Sequence, residues 1–461
     1  MSFKDTPIDS ASAERLREHG LRLDLVDTSD TAAFAAWYQA DARGFYGPRT
    51  AEKQMDEQLT RAAYRRTTGV WDDTAADKAT PIATVASWPT PMAVPGALNV
   101  DSWAISSVTV APTHRRRGIA RALLESELRT AKSVGVPVAA LTVSEATIYS
   151  RYGFGPAAQA VDLTIDTRRA RWIGPQASGR LHFVTLEQVR DDGRAVFERA
   201  RLANPGDIEL DDFLWERLAG VIGDSNDEAK HLRAVRYDDE SGAMQGFAVY
   251  RVTDGEKDFT QHTAVVHYLC AATDDAAAGL WRYLLELDLV SAVTASLRSV
   301  DDPILWQISD VRAARTTSLS DHLWVRILDV KAALEGRRYS APGRFVLDIT
   351  DPLGFADGRA HVSIDADGVA TVTGADAAVA DVAGSGGASA DAAAGDVGGA
   401  VSGAAVGLAL PVDMLGALYL GGVSARTLVR AGRITELSPG SADVFDASFR
   451  SPVAPWLSTW F

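Results

Sequence analysis

Residues 107–156 read SVTVAPTHRRRGIARALLESELRTAKSVGVPVAALTVSEATIYSRYGFGP, and this segment limits the fold more than any other part of the chain. The β-branched run Val108, Thr109, Val110 favours a strand. Ala111 and Pro112 stop it sharply. Ile119, Leu123, Leu124, Leu128 and Ala131 then recur near helical spacing, and Gly135 with Pro137 ends the helix. The apolar run 138–143 is what a central strand covered on both faces requires.

At the strand-to-helix turn stands the pattern R-x-x-G-x-A, carried by Arg115, Gly118 and Ala120. Unpaired N–H groups in a first helical turn converge on one spot and carry the positive end of the helix dipole, so they can hold a pyrophosphate. Gly118 removes the Cβ that would block close approach, and Arg115, Arg116 and Arg117 add fixed positive charge. The G-K-[ST] ending of a P-loop and the G-x-G-x-x-G of a dinucleotide fold are both missing, so neither is the better reading. The bland alternative is a surface helix that begins with three arginines. The strand, helix, strand context weighs against it.

The segment V-T-V-A-P-T-H-R-R-R-G-I-A-R, followed by S-E-x-x-I-Y-x-R-Y-G-F-G-P, resembles the Eis (enhanced intracellular survival) family of multi-acetylating aminoglycoside N-acetyltransferases, within the Gcn5-related superfamily. Further landmarks are D-x-L-W-V-R-I-L-D-V-x-A-A-L-E-x-R-x-Y at 321–339, L-Y-L-G-G from Leu418, and a C-terminal Phe461. The resemblance implies an α/β (α+β) chain of two tandem Gcn5-related acetyltransferase-like domains followed by a sterol-carrier-like domain. The expected boundaries are 1–175 for the catalytic domain, 176–335 for a second domain without catalytic residues, and 336–461 for the third, which delivers the chain end to the first. It also implies acetyl-coenzyme A as co-substrate, bound by Val108, Thr109, Val110, Arg115, Arg116, Arg117, Gly118, Ile119, Ala120, Arg121, Ser144 and Glu145. A small-molecule amine acceptor and a homohexamer follow from the same resemblance.

Composition is consistent with this reading. A chain of 461 residues exceeds one core and suggests about three domains. A formal charge of −15 argues against a nucleic-acid binder and suits cationic substrates. The single cysteine, Cys270, permits no internal disulfide and points to a reducing compartment. It also makes an acetyl-cysteine intermediate an unattractive mechanism, which leaves direct transfer in a ternary complex. The eight histidines lack paired zinc-ligand spacing, so no metal is expected. The first twenty residues have no apolar core like a signal peptide, and no later stretch has the apolar length to span a bilayer. A cytoplasmic protein is the expectation.

In chain order, Leu21, Leu23 and Leu25 alternate as a strand, and 31–42 forms a helix with Phe34 and Trp37 on its apolar face. Strands are expected over 81–88, 104–110 and 158–165. The second unit should hold strands over 181–186, 231–237, 244–252 and 263–272, then a helix over 277–287 with Trp281, Leu284 and Leu285 inward. Its turn reads ATDDAAAGLW where the first has APTHRRRGIA, and two aspartates would repel a pyrophosphate, so this unit is expected not to bind coenzyme A. The third unit alternates as strands over 344–350, 360–365 and 368–373, with helices over 411–419 and 424–431. Between them, 373–407 is almost wholly Ala, Gly, Asp, Ser and Val, the composition of a disordered insertion. A sterol-carrier fold raises lipid delivery as a non-enzymatic alternative for this unit, by analogy alone.

Acetyl transfer to an amine needs a base for the ammonium, an acid for the departing thiolate and a place for the oxyanion. Tyr149 stands where the resembled family has its general acid, and a phenol of pKa about 10 is a proton donor at neutral pH. A packing tyrosine at a helix end is the plain alternative, and Tyr152 and Phe154 fit that description. The oxyanion is expected at the backbone N–H of Val110 or its neighbours. The chain ends Pro455, Trp456, Leu457, Ser458, Thr459, Trp460, Phe461, too apolar to be left in water, so it should dock. By resemblance the Phe461 carboxylate is the general base; the alternative is a tail that only packs. Trp37, Phe45, Tyr46 and Trp460 are candidate acceptor walls, with simple core burial as the competing reading for the first three. Two departures bear on the acceptor. Gly44 stands where the family has an acidic residue before F-x-G-P, and Trp460 where it has one before the terminal phenylalanine. Both weaken a polycationic aminoglycoside relative to a protein or peptide lysine, or a hydrophobic amine stacked on tryptophan.

Overall fold

The computed structural model describes residues 2–222, 230–255, 258–374 and 406–461. Its first strands are β1 (Leu21–Leu25), β2 (Arg66–Asp72), β3 (Ala83–Val94), β4 (Leu98–Val110), β5 (Val138–Thr142) and β6 (Gly155–Asp166). They are followed by β7 (Arg180–Val184), β8 (Arg233–Asp238), β9 (Met244–Thr253), β10 (His262–Ala271), β11 (Val290–Arg298) and β12 (Ala314–Ile327). Among the described residues these twelve form one sheet, in the order β1-β2-β3-β4-β5-β12-β6-β11-β10-β9-β8-β7. Val138, Ala139, Ala140 and Leu141 of β5 are all buried, which accounts for the unbroken apolar run.

The order of the middle strands is informative. β12, from the second unit, lies between β5 and β6, pairing antiparallel with both. β6, from the first unit, in turn lies between β12 and β11. Each unit therefore completes its sheet with a strand of the other. The boundary expected near residue 175 does not divide the sheet.

Several elements differ from the sequence expectation. The hairpin of β3 and β4 runs through Pro89 and Pro91, where alternation alone ended the strand at Trp88. Prolines remove donors, and here the hairpin flank is bridged by the chain around Ile208 instead, with Glu209 N donating to Pro91 O at 2.9 Å. The strand expected over 181–186 stops at Val184, because Thr185 caps the helix Leu186–Ala203 in a reciprocal capping box with Gln188. The helix expected over 277–287 spans Asp274–Leu285, so Asp274 and Asp275 sit in its first turn, where the dipole favours them. The helices Ser10–Arg17, Glu52–Ala62 and Asp212–Leu218, and the strands β2, β11 and β12, were not anticipated.

The third unit is a five-stranded sheet, β15-β14-β13-β16-β17, of β13 (Gly343–Thr350), β14 (Gly358–Ile364), β15 (Ala370–Gly374), β16 (Val406–Pro411) and β17 (Thr435–Glu436). The insertion expected over 373–407 lies largely outside the described residues. Both of its expected edges fall inside strands, since β15 continues through Gly374 and β16 begins at Val406. The interior is filled by Phe345, Leu347, Phe445 and Phe449, with Phe445 and Phe449 stacked at 3.7 Å. Arg337, wholly buried, donates to the carbonyls of Tyr419 and Phe449.

The helix Val412–Tyr419 seats this unit on the seam of the large sheet. A Cβ at Gly155 would lie 1.8 Å from Asp413 O, and one at Gly416 2.2 Å from Val325 O, so both glycines are required by close backbone approach. Beside them Arg326 of β12 donates to both carboxylate oxygens of Asp351 at 2.7 Å and to Tyr152 O at 2.7 Å, with no exposed surface on either charged side chain. One guanidinium thus joins all three units. Removing either partner of such a pair costs about 3–5 kcal/mol.

Candidate active site

The site begins as an irregularity in β4. Thr109 lies opposite Thr84, but Ser106 lies opposite Ala86, so the β4 side holds an extra residue around Ser107, whose φ is +56°. A bulge twists and bends its strand. Past it the parallel neighbour is lost, since β5 pairs only with Ser102 through Ile105, opposite Val138 through Leu141. Ser106, Ser107 and Val108 are half-buried along the opening, while Thr109 is buried and exchanges a 2.7 Å hydrogen bond with Thr84. Val110 is half-buried at the strand end.

The basic turn follows directly. Pro112–His114 forms a single 3-10 turn, Arg116 has φ +63°, and Gly118, at φ +76°, precedes the helix Ile119–Ser133. A Cβ at Gly118 would meet no protein atom within 4 Å, so within the protein the glycine serves the left-handed conformation and not space. No side chain caps this helix, which leaves its first N–H groups open. Arg115 and Arg116 are exposed at its mouth. Arg117 is partly used, donating to His19 O at 3.1 Å and lying 3.7 Å from Asp72. Arg121 turns away to Glu125, at 2.6 Å, in a cluster that also takes Arg15 and Arg129. Ile119 is a core residue, Ala120 is half-buried, and Ser144 and Glu145 are exposed before the short helix Ala146–Tyr149.

Tyr149 closes that helix and is buried edge-on to Phe154, at 6.3 Å. Burial, and then the nearby Glu145 charge, raise its phenol above the ordinary value, so it is protonated throughout the neutral range.

The chain end enters the same opening. Thr142, one residue beyond the last β4–β5 pair, donates through Oγ1 to a terminal carboxylate oxygen of Phe461 at 3.0 Å. The Phe461 ring is buried edge-on to Trp88, at 5.8 Å. Arg65 lies over Trp88 at 4.3 Å and donates to Tyr64 OH at 2.9 Å.

The expected acceptor walls divide. Trp37 is a correction: at 2% exposure, with its indole N–H on Thr68 O at 2.9 Å, it belongs to the core with Phe34, Met55 and Trp71 and offers no surface to a ligand. Phe45 and Tyr46 are exposed, the latter at φ +58°. Trp460 is exposed, rests edge-on against His322 at 4.4 Å, and its carbonyl accepts from Arg217 at 2.8 Å. The glycine at 44 has a steric cause, because a Cβ there would stand 2.4 Å from Thr109. The end of the helix Thr31–Gly44 is pressed onto β4.

Sequence reasoning missed Asp41, Arg65, Trp88 and Thr142. Asp41 sits one turn before Gly44; its Oδ1 is sealed from solvent and has no hydrogen-bond donor. Burial pushes the carboxyl up to about 6, opposed by the Ser107 hydroxyl and the Arg65 charge. Its only advance signal was an acidic residue in the last turn of a helix, where the dipole disfavours it.

An acetyltransferase (GNAT) domain family matches residues 26–157, a second acetyltransferase (GNAT) family matches 206–327, and a sterol carrier protein domain family matches 330–458. The fold and the opened strand pair thus define a chain of two GNAT units and a sterol-carrier-like unit. An uncharacterized N-acetyltransferase of Streptomyces avermitilis is 36% identical over 93% of this chain and 97% of its own length. N-acetyltransferase Eis of Mycobacterium bovis is 34% identical over 78% and 81%. The crystal structure of Eis1 from Mycobacterium abscessus superposes with a TM-score of 0.74 at 26% identity, covering 95% of this chain and all of that one. The chain belongs to the Eis-like family of GNAT acetyltransferases, and it is an acetyltransferase enzyme. Among the described residues no helix is long and apolar enough to cross a membrane.

Proposed function

We propose that this protein transfers the acetyl group of acetyl-coenzyme A to a primary amine of an aminoglycoside-like polyamine, by direct attack in a ternary complex. The observation that carries the reading is the Phe461 carboxylate on Thr142, at the mouth of the opened strands. In this reading the first-turn N–H groups after Gly118, with Arg115 and Arg116, hold the pyrophosphate. The free edge of β4 around Val108 and Val110 receives the carbonyl oxygen as it gains charge. Phe461 takes the proton from the acceptor ammonium, and Tyr149 supplies one to the departing thiolate. Two carboxylates near one opening, Phe461 and Asp41, favour a cationic acceptor. The exposed ring of Trp460, beside the chain end, favours a second reading, an amine with a flat apolar body that stacks on that indole.

The test is a panel of aminoglycosides, lysine peptides and aromatic amines, read as acetyl-coenzyme A-dependent thiol release. Fastest turnover on the aminoglycosides is expected. Preference for the aromatic amines moves the acceptor to the second reading, and release with no amine of the panel refutes both.

A further inference from the structure

The opening between β4 and β5 has a counterpart in the second unit. β10 pairs with β11 only as far as Val266 opposite Ala295. Its ladder to β9 shifts between Val266 and Tyr268, so His267 is the extra residue of a bulge placed as Ser107 is in β4. Leu297, beyond the last pair, has φ +52°. The chain's own end enters this gap and forms one wall of a cavity of about 500 Å³ that Val266, His267, Tyr268 and Leu297 also line. Trp456 Nε1 donates to Leu297 O at 2.7 Å, and Trp456 N to Pro205 O at 2.8 Å. Tyr268, from the bulge, donates through its hydroxyl to Ser458 Oγ at 2.9 Å. Ser458 donates through N and Oγ to Asp207 Oδ1, at 3.3 and 3.1 Å. Next, His322 Nε2 meets Thr459 O at 2.8 Å; a carbonyl only accepts, so that nitrogen carries the hydrogen. Leu457, Ser458 and Thr459 are all buried. The tail leaves this gap at Thr459 and reaches Thr142 of the other gap two residues later.

We infer that the β10–β11 gap is a receptor for the chain terminus, and that Tyr268, Asp207 and His322 are positioning residues that set how far the Phe461 carboxylate reaches into the first gap. This rests on the chain-end base proposed above. Two residues fully extended span at most about 7 Å, so the last anchor limits how far the carboxylate can stray. A base must stand within about 3 Å of the proton it takes, and a shift of about 1 Å at such a group lowers turnover up to about 10²-fold. Chain ends otherwise fray, and a free apolar tail would sample many positions for each productive one. The second unit supplies the order that its own gap does not spend on a cofactor.

The test is Ser458→Ala combined with Tyr268→Phe, two conservative changes that remove the hydroxyl pair. The expected result is a kcat lowered roughly tenfold or more, with KM for acetyl-coenzyme A within about twofold and the melting temperature preserved. Ser458→Thr, which keeps a hydroxyl, should restore most of the rate. Native kcat in the double variant overturns the positioning role. A single residue added after Phe461 is measured in parallel. If that extension loses activity while the double variant does not, the tail needs no latch; if the extension acetylates at the native rate, the chain-end base falls and the latch with it.

Discussion

The two gaps in the large sheet are alike in backbone and opposite in contents. Each opens where a bulged strand parts from a parallel neighbour, β4 from β5 and β10 from β11. The helix after the first begins at an uncapped left-handed glycine beside exposed arginines. The helix after the second is capped by Thr273, whose hydroxyl accepts from Ala276 N at 3.2 Å, and Asp274 and Asp275 fill its first turn. Asp275 is further committed to the Tyr237 hydroxyl and to Ser178. The first helix therefore has donors to offer an anion, whereas the second has one capped and two aspartates beside the rest. A shared splay makes an opening; the four residues that start the next helix decide what it receives.

The contrast can be broken most severely at the proposed proton donor. Tyr149→Phe is expected to slow acetyl transfer by about 10² to 10⁴ with little change in acetyl-coenzyme A affinity, the usual effect of losing a general acid. Tyr152→Phe is the companion measurement and should do far less, because that ring lies on the side facing Glu125 and Arg121. Steady-state kinetics at saturating cofactor decide between a catalytic and a packing tyrosine.

A change at Gly118 should act on binding. Gly118→Asp sets a negative charge and a strained φ where the pyrophosphate is proposed to sit, and calorimetry should show affinity for acetyl-coenzyme A lowered roughly tenfold or more. Asp274→Arg in the second gap should leave the stoichiometry at one cofactor per chain, since its helix start stays capped and the tail stays anchored across its gap. Two sites in that variant would mean that charge alone separates the gaps.

The smallest effect concerns pH. Burial in the second gap pushes the Asp207 carboxyl up to about 7, against the Ser458 hydrogen bonds and the Arg201 charge that pull it down. An acid whose folded value exceeds its unfolded value of about 3.9 favours the fold fully below that value, and loses the contribution as pH rises through about 7. Asp207→Asn removes this dependence. The melting temperature of the native chain should therefore fall relative to that of the variant between pH 4 and 7, then run parallel to it, as scanning calorimetry across that range can check. A constant difference would place Asp207 in contact with water.

What was legible in the sequence was local. The strand, turn and helix of the first gap lie within fifty contiguous residues, and the βα punctuation around Pro112, Gly118 and Gly135 reports them directly. The apolar tail announced that it would dock because seven terminal residues include three aromatic rings. What was not legible depended on partners far along the chain. Asp41 becomes notable only when Ser107 and Arg65 are brought to it, and Asp207 only when Ser458 is. Trp37 was misjudged because a tryptophan on an apolar helix face reads the same whether it lines a pocket or fills a core; the Thr68 carbonyl that satisfies its N–H is invisible before folding. β3 outruns its expected end at Trp88 because the flank beyond it is bridged by a remote segment around Ile208, which the local sequence does not report.

The exchange of β6 and β12 has a consequence for how the protein can be taken apart. Expressed alone, residues 1–175 would lack the strand that stands between β5 and β6, and residues 176–335 would lack the one between β11 and β12. Each fragment would expose three unsatisfied strand edges, because three ladders, β5–β12, β12–β6 and β6–β11, run between the two, an arrangement prone to pair with another copy. The two units match separate family models, over 26–157 and 206–327, yet neither holds a complete sheet by itself, so they are separable on paper and inseparable as material.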